Sequence, residues 1–240
     1  SSSSSSSSST NSLLSSSSSN GNKNENGIRG IPVFYPKYND ELHDHEEIVS
    51  MVHKLEDDLQ HSPVVSEIVV LEMENPPAFV KTCGGGSSMN ALERLEVLKK
   101  SQQPHLAVEL LKYCAFEHYR GGLYIDSQSV LTTTLDHILS KASGSTSATE
   151  SPANLAVLND AKIAPKSIHS SILYISMNQS VNNDNSVVKG MIQVLMTTNL
   201  QILESSPLLL PKSLYDLIAT DANIAPLASG KNSNRWYLLQ

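Results

Sequence analysis

What this sequence lacks narrows its function first. Basic residues are outnumbered, 17 Lys and Arg against 24 Asp and Glu, which gives a formal charge of −7 over 240 residues. Nucleic-acid binders usually carry a basic face, so nucleic acid is not an expected partner. No run of about 18 apolar residues occurs, so no transmembrane segment is expected. No basic stretch leads into an apolar one as in a secretory signal. These two observations predict a cytoplasmic chain, or a piece whose targeting segment is missing. No internal repeat is visible.

Cysteine is scarce. Cys83 and Cys114 are the two in the chain. Two do not make a disulfide framework, and a metal site would need further ligands. Cys114 lies in an apolar helical pattern and reads as a buried thiol. Cys83 precedes Gly84-Gly85-Gly86, which lacks the GxxxxGK[ST] spacing of a phosphate-cradling loop and reads as flexible. Cysteine usage therefore leaves the redox compartment open. His43 and Glu47 in HDHEE share a helix face but lack the H-E-x-x-H order, so a solvated acidic first turn is the reading. Asn178-Gln179-Ser180 is a single glycosylation sequon, a weak signal.

What is present divides the chain in two. Serine fills 15 of the first 19 positions. Such a segment cannot bury enough apolar surface to offset its ordering entropy, so residues 1–27 are expected to be a disordered low-complexity tail. Residues 28–240 read as one α/β domain. Short β-rich runs fall at Ile31 to Tyr35, Val64 to Met73, Leu123 to Ile125, Leu155 to Leu158 and Ser171 to Ser176. Helical patterns fall at Ile48 to Leu59, Ala91 to Lys100, Pro104 to Arg120, Val187 to Leu203, and about Leu214 to Ala219. Strands alternating with helices predict a mostly parallel sheet.

The segment from Pro104 to Gln128 carries the functional signal. On a helix, Ala107, Leu110, Leu111, Cys114, Ala115 and His118 form one stripe, with Glu109, Lys112, Phe116 and Tyr119 opposite. Glu109 and Lys112 are three apart, the spacing of a surface ion pair or of two polar groups held in a cleft. Gly121-Gly122 ends the helix. Asp126 then follows a short strand, where open α/β sheets bind ligands and where an acid can ligate a hard divalent cation. An equal reading is that Asp126 opens a turn.

ELLKYCAFEHYRGGLYIDSQ resembles the DXD segment of GT-A glycosyltransferases. The nearest group has a GGxYxDxD signature, as in fungal alpha-mannosyltransferases, capsular polysaccharide sugar transferases and glucosylating clostridial toxins. The resemblance implies a GT-A-like nucleotide-diphospho-sugar transferase domain. It further implies a hexosyltransferase that moves sugar from a nucleotide-sugar donor to a glycan, glycolipid or protein acceptor, with retention of configuration. It implies Mn2+ or Mg2+ at Asp126 and Gln128, Asp126 as catalytic residue, and donor contacts from Glu109, Lys112, Tyr124 and Asp126. Glu109 and Lys112 stand where the family more often has Asp and Arg, and they are expected to face a cleft shared with Asp126. Gln128 stands where the family has its second acid. A catalytically impaired transferase-like binding or scaffold protein is the alternative, and an unrelated α/β interaction domain is the third. Trp236 is expected in the core or in the nucleotide cleft. A Golgi or secretory location follows if the resemblance holds.

Overall fold

The computed structural model describes residues 30–37, 53–54, 56–62, 64–85, 90–126, 155–158, 168, 171–175, 186–220 and 236–239. The expectations for residues 1–27, for His43 and Glu47, for Asn178 and for Gln128 lie outside the described residues. Six strands form one sheet: β1 Ile31–Lys37, β2 Val65–Glu72, β3 Gly122–Ile125, β4 Leu155–Leu158, β5 Ile172–Ile175 and β6 Trp236–Leu239, in the order β2-β1-β3-β5-β4-β6. β1 pairs in parallel with β2 and β3, and β4 with β6. β5 is antiparallel to both β3 and β4, so it alone runs against the rest. The chain is therefore a mixed α/β domain with a mostly parallel open sheet.

Side-chain alternation along the strands fixes two layers. Val33, Tyr35, Leu123, Ile125, Ile172 and Tyr174 bury one face together with Leu59, from the helical residues 56–60. The Tyr35 hydroxyl donates to Glu56 Oε1 at 2.6 Å and ties that helix to β1. Phe34, Tyr124, Leu173 and Ile175 bury the other face against the larger helical layer. That layer holds α1 Ala91–Lys99, α2 His105–Tyr119, α3 Ser186–Thr197, α4 Leu200–Ser205 and α5 Leu209–Thr220. A strand covered on both faces reads as a continuous apolar run, as β3 does, whereas the edge strand β2 keeps Ser66, Glu67 and Glu72 among its apolar residues.

The crossover that follows β1 and the one that follows β2 cover opposite faces of the sheet. From β1 the chain passes through helical residues 56–60 to β2 on one flank. From β2 it passes through α1 and α2 to β3 on the other flank of β1. Right-handed crossovers moving in opposite directions put their helices on opposite faces, as observed here. The reversal falls between β1 and β3.

Three expectations are corrected. The single helix over Val187 to Leu203 is two, because Asn199 breaks it and caps α4 by accepting from the Gln201 N–H at 2.9 Å. The buried Arg94 holds the end of α3 there, donating from Nε to the Leu195 carbonyl at 2.8 Å and from a terminal nitrogen to that of Thr198. His118 is exposed and stacks on Phe79, outside the apolar stripe. Cys114 is no free thiol: it is disulfide-bonded to Cys83, with the Cα atoms 5.4 Å apart. A short 3-10 turn, Ala78–Thr82, which the apolar pattern does not announce, brings Cys83 to α2.

Candidate functional site at the carboxyl edge of the sheet

The glycines of RGGLYID have a structural cause. Arg120 takes a left-handed conformation at φ 60°, and Gly121 and Gly122 follow at φ 139° and 135°. Backbone N–H groups of Arg120 and Gly121 both return to the Phe116 carbonyl, which closes α2. A Cβ on Gly122 would lie 2.7 and 2.8 Å from Phe34 ring carbons and 2.8 Å from the Pro32 carbonyl oxygen. Only glycine lets β3 enter the sheet this close to β1.

Asp126 leaves the carboxyl end of β3 half-buried, and its N–H donates to the Ser171 carbonyl at 2.7 Å. β1 lies alongside, with Val33 level with Leu123 and Phe34 with Tyr124. Asp126 thus stands beside the reversal between β1 and β3, at the edge where ligands enter open α/β sheets. Being two residues on from Tyr124, it belongs to the same face of the strand as that side chain.

Glu109 and Lys112 sit on α2 above that face. Lys112 is fully buried, with its ammonium 2.6 Å from Glu109 Oε1. The same ammonium lies 5.0 Å from the Tyr113 ring centre and 4.7 Å from that of Tyr124. A buried ammonium is costly unless paired, and here a carboxylate and two ring faces compensate it. The expectation that Lys112 would line an open cleft fails for a simple reason: α2 is covered on nearly every side by β3, α1 and α3. Glu109 remains 22% exposed along its side chain. It lines a cavity of about 150 Å³ with His105 and Tyr113 on α2, facing Met191, Leu210 and Leu214 from α3 and α5. Lys112 and Asp126 are not part of that lining.

Spacing alone gives no signal for Tyr113 as a second ring over Lys112. Trp236 stands on β6, an outer strand that β5 and β4 separate from β3. Gly84 is not a phosphate cradle, because its N–H donates to Glu117 Oε2 at 2.9 Å. Among the described residues no group of three or more His, Cys, Asp or Glu gathers as a metal cage. Of the two predicted metal ligands, Asp126 is the one among the described residues. A hard divalent ion commonly takes one or two carboxylates and completes its shell with water and phosphate oxygens. No described helix is long and apolar enough to cross a membrane.

Set against protein-family profiles, curated proteins and solved structures, the chain gives no significant match in any of the three.

Proposed function

We propose that the chain is a sugar-transferring domain that takes a nucleotide-diphospho-sugar donor at the carboxyl edge of its sheet. The observation that carries this reading is Asp126, a half-buried acid at the end of β3 beside the strand-order reversal. The GGLYID segment supports it through its resemblance to metal-dependent transferases. A divalent ion, Mn2+ or Mg2+, would supply Lewis-acid stabilisation of the departing diphosphate. Asp126 would offer it one charged oxygen, Gln128 a neutral one. Behind Asp126, Lys112 pairs with Glu109 and packs on the ring of Tyr124, in the strand that ends before that acid.

A second reading has its own observation. Lys112 is locked between Glu109 and two rings, so its charge is spent inside the fold. With Gln128 in place of a second acid, this favours a transferase-like domain that binds donor weakly and acts as a binding or scaffold module. Calorimetric titration of UDP- and GDP-sugars, with and without manganese, separates the two. Donor binding that requires manganese and is lost in Asp126→Ala supports the first reading. Binding that ignores both manganese and Asp126→Ala supports the second. No binding of any donor to the folded parent removes the proposal.

A further inference from the structure

The 3-10 turn Ala78–Thr82 and the glycines after it have little means of holding themselves. A five-residue turn closes few hydrogen bonds, and adjoining glycines carry a high ordering cost. Their anchors fall at positions 114, 117 and 118, on one side of the end of α2. Cys83 is bonded to Cys114, Gly84 N–H donates to Glu117, and Phe79 stacks on His118 with ring centres 5.1 Å apart. Both half-cystines are buried, at 7% and 1% exposure. Their Cα separation of 5.4 Å lies within the range an ordinary disulfide spans without moving the backbone. On the far side, a Cβ at Gly84 would stand 3.1 Å from a methyl of Ile192, so the segment is wedged between α2 and α3.

We infer that Cys83 and Cys114 are oxidised by a disulfide-donating protein as a step in maturation, and that the chain completes this fold in an oxidising compartment. The exchange balances without a further oxidant. One cysteine thiolate attacks the donor's disulfide and forms a mixed disulfide. The second thiolate then attacks the first sulfur and displaces the donor as a dithiol. Two electrons pass to the donor, and the two protons lost from Cys83 and Cys114 end on its thiols. Both sulfurs are covered once residues 78–85 dock on α2, so exchange precedes docking. Burial then shields the bond from thiol reductants, the behaviour of a structural disulfide in an exported chain. This inference does not depend on the sugar-transfer reading.

The test uses the full chain, unfolded and reduced, then refolded either with excess dithiothreitol or with an oxidised dithiol protein of the thioredoxin-like class. The expected product with the oxidised protein takes no alkyl label on cysteine in guanidinium, and melts about 10 °C above the product formed in dithiothreitol. The double variant Cys83→Ser, Cys114→Ser is expected to match the reduced product under both conditions, which separates loss of the bond from damage by either serine. A parent whose cysteines both label after refolding with the oxidised protein would overturn the inference. So would an oxidised parent melting at the same temperature as the reduced one.

Discussion

The two ends of α2 are built on different terms. At the C-terminal end, Cys114, Glu117, His118 and Tyr119 each fasten the helix to a neighbour, and Arg120 and Gly121 close it. At the N-terminal end, Pro104 provides no side-chain cap, His105 is exposed, and Glu109 faces a cavity. Because α2 leads into β3 after a tight reversal, its N-terminal end lies toward the carboxyl edge of the sheet, the edge that carries Asp126. One helix is thus fixed far from the candidate site and left with space beside it. The contrast suggests a division in which rigidity at the remote end positions a roomier end for ligand.

Breaking the fixed end should cost most. Opening the disulfide, which spans 31 positions, should remove about 3–4 kcal/mol on the loop-closure relation. Urea unfolding of the Cys83→Ser, Cys114→Ser variant reads that directly. An effect below about 1 kcal/mol would show that the seam holds without its covalent bond. Gly122→Ala comes next. Its Cβ would meet the Phe34 ring and the Pro32 carbonyl at a φ of +135°, so strain and overpacking add to about 3 kcal/mol. Gly85→Ala is the control, since nothing lies within 4 Å of its Cβ. If both alanines cost the same, the close approach of β1 and β3 is not what demands glycine.

The roomier end should respond less. Lys112→Met removes a buried ammonium and leaves Glu109 unpaired, a change that costs about 3–5 kcal/mol when both partners are fully enclosed. Glu109 borders the cavity and keeps partial exposure, so water can rehydrate it, and a loss nearer about 2 kcal/mol is expected. A loss matching the disulfide variant would mean that both ends of α2 are equally fixed, and the comparison would fail.

Much of this arrangement was legible in the sequence where local chemistry decides it. Gly121-Gly122 announces the end of α2 and the start of β3, and LAVL announces β4 without error at either end. The α3–α4 break was hidden because the apolar pattern runs on through Thr198 and Asn199, and only the cap shows the interruption. β6 was missed because WYLL is only four residues long, and so short an apolar run carries no period that marks a strand. Burial of Lys112 was not legible either. A spacing of three on a helix describes an ion pair, but not the layers that enclose it. The Cys83–Cys114 pair needs the 3-10 turn to exist before the two meet. Asp126 could be put at a strand end from sequence, but its place beside β1 depends on strand order, which no local pattern encodes.

The smallest effect expected is also the one with a pH signature. Tyr119 donates its hydroxyl to Glu67 Oε1 at 3.1 Å, at the fixed end of α2. Burial, with the Glu67 charge beside it, pushes this phenol up to about 12 from its ordinary value of 10. A phenol with a higher pKa in the folded state binds its proton more tightly there. The stability it lends is whole below pH 10 and is lost as pH rises from 10 through about 12. Tyr119→Phe keeps the ring against Phe34 and Phe79 but removes the hydroxyl, so at pH 7 it should cost less than about 1 kcal/mol. The gap between parent and variant should then close across that alkaline window. Tyr35, raised more strongly by burial and by Glu56, keeps its own alkaline slope in both proteins, so the variant's curve becomes shallower rather than flat. Urea midpoints at neutral pH and at two points above pH 10 measure this, and parallel curves for parent and variant would show that the Tyr119–Glu67 contact does not couple to folding.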